Sequence, residues 1–384
     1  MKEQLIHKIR YLLLLLAFLP AIYFPMFNEA YPLIQKKQTK QAHTEKVLPV
    51  FDINRLDKFP RQFNDYYESR LKIKDKLVFL NSIFQIKILN ISSINSKVII
   101  GKNGWLFSMG ESLKTYQHIN SFTCGQMETL RTILRRRAQW AGKQHIKFYV
   151  VIAPNKHEIY HEYLPHYIEK LPQPGRTDQL LSYMKNDTDV FIIDLRKVLL
   201  RNKGTIPLYF KTDSHWNYLG GYYAYTEIIN RLRKDFPFIC APLKLQNFKI
   251  DSSEVAAGGE SVLINMEEWY YENRINLKPL FREKAVDGKR MNYKCPEKFS
   301  YPWDYEIDKE VKNDSLPTAV IIRDSFTDYL VQYLKEHFKR SVFIFDRWML
   351  KENKNIVENE KPDIVLLIMN DNGFDNLIEY DSEK

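Results

Sequence analysis

The stretch TAVIIRDSFTDYLVQYL, residues 318–334, runs from an apolar strand pattern through Arg323-Asp324-Ser325 straight into a helical pattern. A run of Val and Ile bounded by polar residues reads as a buried strand. Ser325 then stands at a strand-to-helix turn, which exposes its hydroxyl at the carboxyl edge of a sheet. The first N–H groups of a helix have no internal partner there and can hold an oxyanion. A plainer reading is also open, because Ser325 followed by Asp328 fits a capping box that merely starts the helix.

Working outward, the same alternation recurs along the chain. A helical pattern at 127–144 precedes IKFYVVIA from Ile146, one at 177–185 precedes VFIIDL from Val190, and another covers 218–235. SVFIFD, a helix near Leu350 and DIVLLIM from Asp363 follow Ser325. Continuous Val, Ile and Leu strands, each followed by an amphipathic helix, indicate an α/β fold with a mainly parallel sheet covered by helices on both faces. Residues 236–305 break the rhythm and are rich in charge, so an insertion or cap over the sheet is expected there. VIIGKNGWLF, residues 98–107, predicts a hairpin around its Gly-Lys-Asn-Gly turn. Residues 51–100 carry apolar residues at helical spacing and predict lead-in helices.

A second segment carries chemistry. LYFKTDSHWNYLGG, residues 208–221, places Asp213, His215, Trp216 and Asn217 just ahead of a helix. In an extended strand Asp213 and His215 share one face; in a loop the carboxylate can fold back onto the ring. Either way, a carboxylate accepting the Nδ1 proton fixes the imidazole tautomer and frees Nε2 to take a proton from a serine. A lone histidine is more often structural, but an exposed serine turn together with Asp-x-His is more specific than either alone. Asn370, after the last strand, is a candidate side-chain donor to an oxyanion, or simply a turn residue. The segment HEIYH, residues 157–161, formally matches a zinc-protease helix. Pro165 follows too closely for a long helix, so cap or surface histidines are the expected reading and no metal or cofactor is expected.

The amino terminus reads as an address. Residues 11–27, YLLLLLAFLPAIYFPMF, are uncharged and preceded by Lys2, Lys8 and Arg10. That length can just cross a bilayer, and the basic flank keeps the first residues in the cytoplasm. A cleavable signal peptide is the rival, but Tyr23, Phe24 and Pro25 stand where small residues would be needed. The expected organisation is therefore a cytoplasmic tail at 1–10, a transmembrane anchor at 11–27, tether and lead-in helices at 28–95, and a catalytic domain at 96–384. The localisation expected is a single pass through the inner (cytoplasmic) membrane with the body on the periplasmic or extracytoplasmic side.

Composition narrows the partners. The 384 residues carry a formal charge of +10 and 45% hydrophobic content, enough for a substantial core and a preference for anionic partners. The only sharp basic run in the body, Arg135-Arg136-Arg137, follows Leu130, Ile133 and Leu134 at helical spacing and reads as a solvated helix face. No nucleic-acid partner is expected. Cys124, Cys240 and Cys295 form no C-x-x-C pair. They allow one disulfide with a thiol left over, or three buried thiols.

At these residues the chain resembles the alginate O-acetyltransferase family of the AlgJ and AlgX type, whose catalytic domain is an SGNH-hydrolase-like α/β fold. Four segments carry the resemblance in order: GKNGWLF from Gly101, IAPNKHEIYHEYLP from Ile152, TDSHWN from Thr212 and RDSF from Arg323. It implies Ser325 as nucleophile, His215 as general base, Asp213 as its orienter and Asn370 as the SGNH asparagine. It also implies substrate-binding roles for Arg323, Trp216, Asn155 and Lys156. The implied activity is transfer of acetyl groups through an acyl-enzyme to an exported cell-envelope polysaccharide, with a membrane-bound O-acyltransferase presenting the acetyl group. No carbohydrate-binding module follows the body, so the anchored AlgJ-like arrangement is the one expected. An acetyl esterase and a non-catalytic polysaccharide-binding scaffold are the rival readings, and stacking of Trp216 and Trp105 on sugar rings competes with plain core packing.

Overall fold

The computed structural model describes residues 97–379 apart from 257, 265, 267–269, 298, 300 and 347–351. Before them it describes residues 10–16, 18–20, 23–24, 31, 47–51, 53, 56–70, 81 and 84. The chain divides into two units, 1–93 and 94–384. In the first, residues 10–16, 18–20 and 23–24 are helical, and α1 spans Phe59–Arg70. Among the described residues no helix is long and apolar enough to cross a membrane. The anchor expected at 11–27 and most of the tether lie in part outside the described residues.

The second unit opens with β1 (Val98–Ile100) and β2 (Leu106–Ser108), paired antiparallel as the hairpin reading expects. Asn103 and Gly104 supply the left-handed backbone of its turn, at φ 55 and φ 79. Then come α2 (Glu111–Tyr116), α3 (Cys124–Gly142), β3 (Lys147–Ala153), α4 (Lys156–Ile159), α5 (Arg176–Tyr183), β4 (Phe191–Asp194), α6 (Arg196–Asn202) and α7 (Tyr218–Leu232). Next are β5 (Phe248–Ala256), α8 (Glu260–Leu263), β6 (Tyr271–Pro279), β7 (Val286–Asp287) and β8 (Glu306–Glu310). The last elements are β9 (Thr318–Arg323), α9 (Val331–Leu334), β10 (Arg340–Phe345), α10 (Glu352–Glu360), β11 (Ile364–Asn370) and α11 (Phe374–Glu379).

The main sheet has the order β4-β3-β11-β9-β10-β8-β7. Its first five strands are parallel, and β8 and β7 add an antiparallel edge. Residues 236–305 therefore contribute an edge strand to the sheet as well as a separate β5–β6 hairpin. Alternate strand residues serve two cores. Tyr149, Val151, Ile321 and Leu366 pack with Ile228 and Ile229 of α7, while Phe148, Val150, Ile322 and Leu367 pack with Leu130 and Leu134 of α3 and Ile356 of α10. Since both faces are apolar, the period-2 alternation of a strand disappears into continuous hydrophobic runs. Leu367, with no exposed surface in the middle of β11, tests this arrangement. Leu367→Ala is expected to cost about 2–5 kcal/mol in chemical denaturation, and a change below about 1 kcal/mol would contradict the two-sided core.

Local signals set the element ends. Thr123 caps α3, its hydroxyl accepting from the Gln126 N–H while the Gln126 side chain accepts from the Thr123 N–H. The Arg135-Arg136-Arg137 run is only partly the solvated face expected of it: Arg135 pairs with Asp187 at 3.3 Å, but Arg137 is buried. The cysteines also depart from expectation, because all three are free and Cys124 and Cys240 are exposed.

Candidate active site

The turn after β9 is built by Asp324. Its Oδ1 accepts from the Phe326 N–H at 3.0 Å and its Oδ2 from the Asn370 N–H at 2.7 Å, which ties the turn to the end of β11. Asp324 is thus the capping residue, not Ser325. The expected continuous helix is replaced by a 3₁₀ turn over Ser325–Tyr329 and the single turn of α9. The Thr327 N–H also donates to the Asp324 carbonyl at 3.1 Å, so two amides that the sequence offered to an oxyanion are already engaged.

The second segment forms a loop rather than an extended strand. The Phe210 N–H donates to the His215 carbonyl at 3.1 Å and the Asn217 N–H to Leu208 at 2.8 Å, folding residues 208–217 back on themselves. At the tip, Asp213 Oδ1 accepts from the His215 backbone N–H at 2.9 Å and lies 2.6 Å from Nδ1. Asn217 then caps α7 by accepting from the Leu219 and Gly220 N–H groups. A carboxylate only accepts, so Nδ1 carries the proton and Nε2 is the acceptor. Nε2 lies 2.7 Å from Ser325 Oγ, a residue 110 positions away. Two glycines of α7 permit this approach: a Cβ on Gly220 would stand 2.2 Å from the Leu208 carbonyl oxygen, and one on Gly221 2.5 Å from that of Tyr329.

The charges suit a proton relay. Burial alone would raise the Asp213 pKa, but the hydrogen bond and charge of His215 hold it below the ordinary carboxylate range. Burial alone would lower the His215 pKa, but Asp213 lifts it above the usual 6.5, helped by Asp324 and Glu260. The two side chains remain 27% and 22% exposed, open enough for a small molecule or water to reach them.

Several expected site residues are placed elsewhere. Asn370 does not join the Ser325-His215-Asp213 line: its Nδ2 donates to the Ala153 carbonyl at 3.1 Å and its Oδ1 accepts from the Asn372 N–H. Its side chain makes the turn after β11, and its backbone N–H serves Asp324. Arg323 is fully buried, with its guanidinium on Asp328, on Asp304 at 2.9 Å and over the Phe345 ring, leaving no surface for a substrate. Trp216 is also fully buried; its Nε1 donates to the Phe326 carbonyl at 2.9 Å, bracing the serine turn from below. Trp105 is stacked against Tyr160 and Tyr163 and is buried. Asn155 is buried against Asp371 and Asn372, and Lys156 is buried against backbone carbonyls. The side chains of these residues are buried and engaged within the chain.

His157, from the HEIYH segment, faces the Ser108 carbonyl at 2.9 Å, and burial pushes its pKa down to about 3. Among the described residues no group of three or more His, Cys, Asp or Glu is arranged to hold a metal ion. Two residues that shape the site escaped the sequence reading. Asp324 was legible, being an aspartate at the end of a strand just before a helical start. Glu272 was not, because it lies in a charge-rich segment without periodicity. Its carboxylate accepts from the Lys211 N–H, the Thr212 N–H and, at 2.5 Å, the Thr212 hydroxyl.

Residues 98–259 match the family model described as SGNH hydrolase-like domain, acetyltransferase AlgX. That segment contains Asp213 and His215; Ser325 lies beyond it. The structure of Bacillus cereus PatB1 is similar at 19% identity and TM-score 0.52, covering 73% of this chain and 97% of that one. PatB1 with a sulfonyl adduct gives 18% identity, TM-score 0.53 and coverages of 72% and 97%. A DHHW family protein from Eubacterium siraeum gives 14%, 0.51, 75% and 95%. At these identities the solved structures show a shared fold. No curated protein matches the chain.

Proposed function

We propose, from the match of residues 98–259 to an SGNH hydrolase-like domain of the AlgX acetyltransferase kind, that the chain transfers acetyl groups to hydroxyls of an exported cell-envelope polysaccharide. The observation that carries this is the unbroken line Ser325 Oγ, His215 Nε2, His215 Nδ1, Asp213 Oδ1, with spacings of 2.7 and 2.6 Å. His215 takes the Ser325 proton as Oγ attacks the acetyl carbonyl, and returns it to the leaving group as the tetrahedral species collapses to acetyl-Ser325. A sugar hydroxyl, deprotonated by His215, then attacks the ester and regenerates the serine. Asp213 keeps the imidazole oriented and stabilises its charged form. With Asp324 engaging the next two amides, the Ser325 N–H at the head of the turn is the backbone donor assigned to the oxyanion.

The acetyl group comes, on this reading, from a membrane-bound O-acyltransferase, and residues 11–27 hold the body against the periplasmic face of the inner membrane. The uncharged run with Lys2, Lys8 and Arg10 ahead of it supports that orientation. Hydrolysis is the second reading, favoured by the partial exposure of His215 and Asp213, which lets water compete for the acyl-enzyme. Incubating the protein with an activated acetyl ester and a deacetylated oligosaccharide decides between them. Mass-shifted oligosaccharide in excess over free acetate is the expected result. Free acetate alone would make it an esterase, and no ester turnover at all would leave only a scaffold.

A further inference from the structure

Lys156 stands at the head of α4, immediately beyond the end of β3, and only 2% of its surface is exposed. A buried ammonium is costly unless its three protons are all satisfied. Here Nζ donates to the carbonyls of Phe210 at 3.3 Å, Lys211 at 3.2 Å and Asp213 at 2.7 Å. Three carbonyl dipoles from one short loop converge on this single cation. The rings of Phe107 and Trp105 lie 5.2 and 5.9 Å from Nζ. From the other side, Glu272 collects the Lys211 and Thr212 N–H groups, and the Glu260 N–H donates to the Thr212 carbonyl at 2.9 Å. Three of the loop's carbonyls therefore meet on a cation, that of Lys211 also accepting from the Leu106 N–H at 2.8 Å, and two of its amides meet on an anion. Gly259, at φ 54, closes the remaining side, where a Cβ would stand 2.4 Å from Asp213 Oδ2.

We propose that Lys156 is a positioning residue for the triad: by gathering the backbone carbonyls of Phe210, Lys211 and Asp213 it sets the point from which the Asp213 carboxylate reaches His215. Lys156 touches no reacting atom. It acts through Asp213, which follows from its shortest bond falling on the carbonyl of that residue. Burial lowers the Lys156 pKa, and Glu260, Asp213 and Glu272 work against that shift, while burial and the neighbouring Lys156 charge keep His157 neutral. Asp213, Asp324 and Glu260 in turn face His215. The activity arm of the test rests on the acetyl-transfer reading; the spectroscopic arm does not.

The test is a double-mutant cycle between Lys156→Met and Asp213→Asn, because a residue acting through Asp213 has nothing left to position once that carboxylate is gone. Lys156→Met alone is expected to lower kcat of acetyl-ester turnover by about 10²-fold, the effect of roughly 1 Å of misplacement, with KM little changed. In the Asp213→Asn background the same substitution should cost less than about 3-fold. In the full chain without substrate, the downfield His215 Nδ1 proton resonance should vanish or move upfield in Lys156→Met while the circular dichroism spectrum stays that of the parent. Equal losses in both backgrounds, or an unchanged Nδ1 resonance, would overturn the proposal. Should Lys156→Met not fold, Lys156→Gln, which keeps a donor for the Asp213 carbonyl, takes its place with the same expected pattern at smaller amplitude. A parent without acetyl turnover would count against the proposed function alone, since the Nδ1 resonance is read without it.

Discussion

Replacing Ser325 with alanine is expected to lower acetyl turnover by about 10⁴-fold, equivalent to about 5.4 kcal/mol of transition-state stabilisation. In the proposed mechanism the hydroxyl is the only part of the line that forms a bond to carbon, so its loss would remove the acyl-enzyme route and leave whatever positioning and backbone donors achieve with water. Stability should change by no more than about 1 kcal/mol, because one hydrogen bond is lost on a half-buried residue and Asp324, not Ser325, caps the turn. A sulfonyl fluoride should label the parent at Ser325, expelling fluoride and forming a sulfonate ester, and should leave Ser325→Ala unlabelled at that peptide. Turnover of the alanine variant within 10-fold of the parent would remove the serine mechanism altogether.

Asp213→Asn is expected to lower kcat by about 10³–10⁴-fold, since an amide no longer fixes the Nδ1-protonated tautomer or balances the imidazolium. The pH profile gives a second reading of the same interaction. His215 must be neutral to accept the serine proton, and its pKa in the folded protein is raised above 6.5. In the parent, kcat/KM should therefore fall as pH drops through a value above 6.5, where His215 takes up a proton. In Asp213→Asn the residual activity should fall at a lower pH, because the carboxylate that favoured the charged ring is gone. An acid limb that stays in place would show that the titrating group is not His215 held by Asp213.

Much of the core was legible because it obeys local rules. Tyr149, Val150 and Val151 on β3, like Ile321 and Ile322 on β9, form uninterrupted apolar runs since each neighbour serves the opposite face of the sheet. The helix from Phe326 was less legible. Its pattern is amphipathic, but Asp324 captures the Phe326 N–H and the Thr327 N–H follows the 3₁₀ register, so a long α-helix does not start there. The side-chain roles were the least legible. Trp216 and Arg323 look like binding residues by type, yet both are fully buried, one bonded to the Phe326 carbonyl and the other paired with Asp304 and Asp328.

The sequence alone determined the class of fold and the pieces of chemistry that act over short range. Strand periodicity, the serine after β9 and an aspartate two positions from a histidine are properties of neighbouring residues, written in the stereochemistry of the chain. Only the tertiary structure decided that His215 meets Ser325 across 110 positions. It alone decided, too, that Lys156, Asn155, Arg323 and Trp216 turn inward. Which remote groups a polar side chain meets depends on how strands and loops close in space, and for a buried ion that encounter settles everything. An ammonium such as that of Lys156 is tolerable inside a protein only where distant carbonyls and carboxylates have been gathered around it.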